Sequence, residues 1–179
     1  MRSFLTLGLL GVLSATLPGS TLRQLSLDDM IRQSTMIVRG KAVAAPAAFH
    51  GSMIYTHYQV QVSETLKGTA ASQIDVVVPG GIARGADQRY AGAPTLLSTQ
   101  EYVMFLWTSK SGLTQVIGLS QGLFSVVANP AGQPSIVRAA STERMLDSSG
   151  QPVTDSDIQM LVTDLRSRIQ TVLNARGGK

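Results

Sequence analysis

The sequence predicts a mainly β protein, a small antiparallel barrel or sandwich with a short helix ahead of it and an amphipathic helix behind it. Three observations carry that expectation. About six or seven short stretches between residues 35 and 139 are rich in β-branched and aromatic residues, several alternating apolar and polar side chains as half-buried strands do. Clusters of Gly, Pro, Asn and Ser separate them as turns do. After residue 154 the apolar period lengthens from two to about 3.6. Strands in a run with helices only at the ends pack as a sheet closed or doubled on itself, not as an alternating α/β sheet.

Taken in order, the first twenty residues read as a targeting signal. Arg2 supplies the positive start, FLTLGLLGVL (4–13) the apolar stretch and SATLPGS a small, turn-forming end. Cleavage is expected after Ala15 or near Ser20, leaving roughly 160 residues. A retained anchor is the competing reading, but the apolar run falls short of the about 20 residues that a bilayer crossing needs. In SLDDMIRQS, Ser26 with Asp29 three residues on forms a capping pair, and Leu27, Met30 and Ile31 give one apolar face. TMIVRGKAVAA is a strand with Gly40 at a bulge position, ended by Pro46, and APAAFHGS is expected as a turn. MIYTHYQVQVSETLKG (53–68) is the longest strand. Tyr58, Val60 and Val62 are expected to face a core, and Tyr55, His57, Gln59 and Gln61 to face water or a partner.

QIDVVVPGG alternates Ile74, Val76 and Val78 until Pro79, Gly80 and Gly81 break it. Residues 82–99 are expected as one long loop, and EYVMFLW (101–107) as the central strand. LTQVIGL, GLFSVVA and SIVRAA follow as strands between turns. In TDSDIQMLVTDLRSRIQTVL, Ile158, Leu161, Val162, Leu165 and Ile169 share one helical face. Thr154 or Ser156 stands at the cap, with Asp155 and Asp157 in the first turn. The expected organisation is a signal over 1–20, a barrel over 21–139, and a linker with the C-terminal helix over 140–179.

Composition narrows the function. Of 179 residues, 44% are hydrophobic and 15% charged, enough apolar surface for a packed core. The net charge is +4, but Lys and Arg are scattered singly, with no run that would track a phosphate backbone. There is no cysteine, which excludes disulfides, thiol catalysis, cysteine metal sites and a lipid-modified N-terminal cysteine.

GLSQG (118–122) matches the G-x-S-x-G nucleophile elbow with Ser120 as nucleophile. That elbow needs a helix directly after the serine and a histidine later in the chain. Here a strand pattern follows, and both histidines, His50 and His57, precede it. VVVPGGIARG has glycines after a strand but neither phosphate-binding pattern. The two histidines match no usual metal spacing, so no metal and no cofactor are expected. The best candidate contact surface is the RGADQRY stretch, with Arg84, Asp87, Arg89 and Tyr90. Tyr55 and His57, on the wet face of the long strand, are the second candidate pair.

One ordered set of segments has a counterpart elsewhere. A short acidic helix leads into MIVRGKAVAA, then come a strand ending in SETLKG, IDVVVPGG, EYVMFLW and GLSQGLFSV. Over residues 25–128 this resembles a family of uncharacterised bacterial exported proteins. More remotely it is similar to netrin-like domains, including the tissue inhibitors of metalloproteinases. The resemblance implies a five-stranded OB-like barrel with helices packed outside. Those inhibitors place an N-terminal cysteine on the catalytic zinc, and this chain has none to carry over. The expectation is an exported (periplasmic or secreted) non-enzymatic binding module that regulates a protease or attaches to the envelope. It binds no nucleic acid and keeps no membrane span. An oligosaccharide-binding OB-type domain is the alternative, and a serine hydrolase using Ser120 the third reading.

Overall fold

The computed structural model describes residues 21–177, so the targeting signal expected over 1–20 lies outside the described residues. In chain order the elements are β1 (Thr21–Arg23), α1 (Leu27–Gln33), β2 (Met36–Ala44), β3 (Ala47–His50), β4 (Met53–Lys67), β5 (Gln73–Pro79), β6 (Gly81–Ala83), β7 (Ala86–Gln88), β8 (Glu101–Thr108), β9 (Thr114–Val116), β10 (Leu123–Ala128), β11 (Pro134–Arg138), β12 (Arg144–Leu146), β13 (Pro152–Val153), β14 (Ile158–Leu161) and α2 (Val162–Gly177).

Five strands close a barrel in the order β2–β4–β5–β9–β8 and back to β2. Neighbours are antiparallel except β5 and β9, which run parallel and meet at one residue pair, Val77 with Gln115. This is an OB-like barrel, as the sequence predicts.

Alternation along β8 explains how the barrel is filled and what covers it. Tyr102, Met104 and Leu106 point inward, where they meet Val38, Ala42, Tyr58, Val60, Val76, Val78, Leu96 and Val116. Val103 and Phe105 point outward into a second core with Met30 and Ile31 of α1, Leu165 and Ile169 of α2, and Phe124 and Ile136. EYVMFLW is apolar on both faces because both faces are buried, each large side chain contributing about 1.5–3 kcal/mol. On β4, Tyr58 and Val60 are buried and Gln61 is exposed, as the period-two reading requires.

Local chemistry places the ends. The Ser26 hydroxyl accepts from the Asp29 amide at 3.1 Å and donates to the Asp29 carboxylate at 2.6 Å, the capping pair read from the sequence. At the other end of α1 the Lys67 ammonium donates to the Ile31 and Ser34 carbonyls, each at 2.5 Å. Gly40 sits at a register shift, and a Cβ there would lie 2.4 Å from the Gln61 carbonyl oxygen, so the bulge requires glycine.

β9 and β10 lie along the same edge of β8 as two parts of one interrupted strand. Ile117 donates to the Phe105 carbonyl at 2.9 Å, and the Phe105 amide donates to the Gly122 carbonyl at 2.8 Å, with residues 118–121 bulging between. β10 then leaves the barrel and pairs with β11, which pairs with β14, and α2 follows at once. A separate three-stranded sheet joins β1 to β12 and β13.

Four segments differ from the sequence reading, the first being the stretch after Pro46, expected as a turn, where Ala47–His50 forms β3 and pairs with β4. Residues 82–99, expected as one loop, contain the β6–β7 hairpin, closed by Arg84 (φ 49°) and Gly85 (φ 79°) as a two-residue turn with both central residues left-handed. Residues 140–156, expected as a linker, contain β12 and β13. The C-terminal helix begins at Val162, not near Thr154 or Ser156, because Ile158–Leu161 pairs with β11. Asp155 and Asp157 are not helix-start charges: they bind Arg138 and the Ala140 amide. Among the described residues no helix is long and apolar enough to cross a membrane.

Candidate functional site: one end of the barrel

The GLSQG stretch is the bulge between β9 and β10, and a strand follows it, not a helix. Gln121 is 1% exposed. Its side-chain oxygen accepts from the Leu25 amide at 2.8 Å and its amide nitrogen donates to the Arg23 carbonyl at 3.0 Å. The stretch therefore fastens the segment after β1 to the barrel. Ser120 lines a cavity of about 410 Å3 with Thr95, Tyr102, Ser125 and Arg138, and neither histidine lines it. His57 lies on the outer face of β4 with Asp75.

A second cavity, about 640 Å3, opens between α1 and α2. Most of its charges pair with one another: Asp28 with Arg168 at 2.7 Å and with Arg32 at 3.5 Å, and Asp29 with Arg32 at 3.4 Å, while Asp164 also lines it. Among the described residues no group of three or more His, Asp and Glu is placed to hold a metal ion.

The strongest surface feature is the barrel end where β2 and β5 finish and β4 and β8 begin. Five large apolar side chains are exposed there: Ile82 at 68%, Leu97 at 58%, Val43 at 53%, Tyr90 at 40% and Phe49 at 38%. Val43 and Leu97 border one cavity and Tyr90 the next, with Tyr58 common to both, while Phe49 and Ile82 lie outside them on β3 and β6, which pack against each other. A cavity of about 350 Å3 is lined by Val43, Ala45, Tyr58 and Leu97, and a neighbouring one of about 320 Å3 by Tyr58, Gly80, Gly81, Arg89, Tyr90 and Pro94. The Arg84 guanidinium lies 5.9 Å from the centre of the Phe49 ring. Arg89 and Asp87 pair at 3.0 Å on the exposed strand, a contact that adds little stability in water.

This end is held rigidly by backbone and amide bonds. Gln88 accepts from the Ile54 amide at 2.7 Å and donates to the Ser52 carbonyl at 3.0 Å, tying the β6–β7 hairpin to the β3–β4 hairpin. The Thr56 hydroxyl donates to the Gly80 carbonyl at 2.8 Å. Gly81, at φ 134°, brings its backbone so near that a Cβ would lie 2.6 Å from that hydroxyl.

Of the six residues singled out in the sequence, Arg84, Asp87, Arg89 and Tyr90 come together on the hairpin and its exit. Tyr55 and His57 project from the opposite face of β4. There the His57 Nδ1 lies 2.8 Å from an Asp75 oxygen, Gln59 donates to Asp75 at 3.1 Å, and Gln73 donates to Gln59 at 3.3 Å. Register carries this face across four strands, from His57 to Val77, Gln115 and Trp107, with Trp107 38% exposed. Sequence reasoning missed Val43, Phe49, Ile82, Leu97 and Trp107. For Phe49 and Ile82 a signal was present: each is a lone large apolar residue among small and turn-forming ones.

No protein-family model matches the chain, and no curated protein matches it.

Proposed function

We propose that this protein is an exported, non-enzymatic binding module that docks a protein partner on the Val43–Phe49–Ile82–Tyr90–Leu97 end of its barrel. The observation that carries the reading is the gathering of five exposed apolar and aromatic side chains at one barrel end, with Val43, Leu97 and Tyr90 around two cavities that share Tyr58. Clustered exposed apolar surface marks interaction sites, and aromatic residues with arginine dominate protein-binding hot spots. The fastened hairpins support it further, since a rigid surface loses little entropy on binding. Export rests on the signal read in residues 1–20, and regulation of a protease or attachment to the envelope are the roles such a module serves. The test is capture with crosslinking from the exported fraction of the source cells. A protein enriched by the wild type should be lost with Ile82→Asp and kept with Lys110→Glu, at the opposite end of β8. No enriched protein, or one indifferent to Ile82→Asp, sinks the reading.

A second reading rests on the His57–Val77–Gln115–Trp107 row. A partly exposed indole stands at one end of this row and the hydrogen-bonded His57, Asp75 and Gln59 at the other, across the buried Val77, and OB-like barrels bind oligosaccharides on comparable faces. Binding on a glycan array that disappears with Trp107→Ala would favour it, and an array with no signal would remove it.

A further inference from the structure

We propose that the free edge of β3 accepts an extended, acidic segment of the partner as an added strand; the inference rests on the docking-end reading above and names what docks there. β2 and β3 run along the same side of β4, β2 from Ile37 to Ala44 and β3 from Ala47 to His50. On its other side β2 pairs with β8 only as far as Lys41 with Glu101. Before Glu101 the chain turns away: Leu96 enters the barrel, and the Leu97 amide donates to the Tyr102 hydroxyl at 3.0 Å. Among the described residues no strand pairs with the outer side of β3.

Register says which groups are offered. The Ile54 amide donates to Gln88 and the Ile54 carbonyl accepts from the Gly80 amide at 2.8 Å, so both groups point away from β3. Phe49 stands opposite Ile54, in a pair without mutual hydrogen bonds, so its own N–H and C=O point away from β4. Ala47, two residues earlier and opposite Thr56, shares that direction. Ala47 and Phe49 thus direct two donors and two acceptors away from β4, the arrangement that strand addition uses. Pro46 and the four-residue length of β3 limit the added strand to a short one.

Charge selects the occupant. Lys41 and Arg84 flank this edge; Asp87 is engaged by Arg89, and Glu101 by Arg39 at 2.7 Å, by Ser63 and by Lys41 opposite it in the ladder, which leaves Arg84 as the main basic group offered to an incoming acid. A second copy paired antiparallel would bring the same basic groups and its own Pro46 to the edge. An apolar strand with acidic residues in alternation meets Arg84 and places side chains against Phe49 and into the cavity beside Val43.

The probe is a blocked peptide of alternating Glu and Val, titrated into the isotope-labelled full chain. It should slow exchange of the Ala47 and Phe49 amides by about tenfold or more, and leave Ala48 and His50 unchanged. The same peptide with Lys for Glu should bind about tenfold more weakly. No slowing at Ala47 and Phe49, or equal binding of the Lys peptide, overturns the proposal. Slowing that grows with protein concentration without peptide overturns it in favour of a second copy. If the peptide fails while a captured protein is still lost with Ile82→Asp, the edge inference falls and the docking-end reading stands.

Discussion

Gln121 follows Ser120 in a stretch that resembles a catalytic elbow, yet its side chain faces the protein interior and holds the backbone of Arg23 and Leu25. Gln121→Ala strips partners from a part-buried donor and acceptor and should cost about 1 kcal/mol in urea unfolding. Ser120→Ala should stay within about 0.5 kcal/mol. The reverse order would mean that Ser120, not Gln121, holds this bulge. Lys67 works in the same way: Lys67→Met removes the cation from the carbonyls of Ile31 and Ser34 and should loosen the end of α1.

At the scale of elements, β11 is fixed to the segment before β14 by a buried ion pair. Arg138 donates to both oxygens of Asp155, at 2.8 and 3.1 Å, with side chains 8% and 3% exposed. Burial pushes the Asp155 carboxyl up, but bonds from Arg138 and the Ser141 and Ser156 amides outweigh it and hold the carboxyl below the ordinary value of 3.8. A depressed folded value means stability that is full above about pH 4 and is lost as pH falls through that value. Thermal unfolding of the wild type should therefore weaken on acidification below about pH 4. Asp155→Asn should be less stable at pH 7 by about 3–5 kcal/mol, since Arg138 is left buried and unpaired, and flatter with pH. Some acid sensitivity should remain through Glu101: burial pushes its carboxyl up, but bonds from Arg39 and Ser63 and the charges of Arg39 and Lys41 outweigh it and leave it lowered.

The same contact explains what the sequence left hidden. Period-two patterning made β4 and β5 legible, a continuous apolar run made β8 legible, and Ser26 with Asp29 made α1 legible. Ile158, Leu161, Val162 and Leu165 fit a helix, but Ile158 and Met160 also alternate, and pairing with β11 decides between the two. β1 and β12 are three residues each and pair across about 120 residues of chain, beyond any local signal. At the docking end the arginines and Tyr90 were legible by type. Val43 and Leu97 were not, because their exposure depends on where β8 stops pairing with β2. On β4 the face assignment makes its own prediction: Val60→Asp should prevent folding and Gln61→Asp should be mild, read as yield of soluble protein. Equal losses would contradict the barrel interior described here.

For the whole molecule, the two cores are not separable, because β2 and β8 line both. Val38 and Met104 fill the barrel while their neighbours Ile37, Val103 and Phe105 seat the helices. Losing the helix layer would expose Phe105 and Ile37, and the strands that carry them are the ones that hold the barrel closed. The barrel and helix layer should therefore unfold in one transition. The chain offers a direct test, since its single tryptophan, Trp107, sits on β8 near the end of the barrel, while most helix signal comes from α2. Trp107 fluorescence and helical circular dichroism should give the same midpoint in urea. Phe105→Ala should move both together, by about 3–5 kcal/mol of lost stability. Loss of helix at lower urea than the change at Trp107 would show that α2 is a detachable cover over a barrel that stands alone.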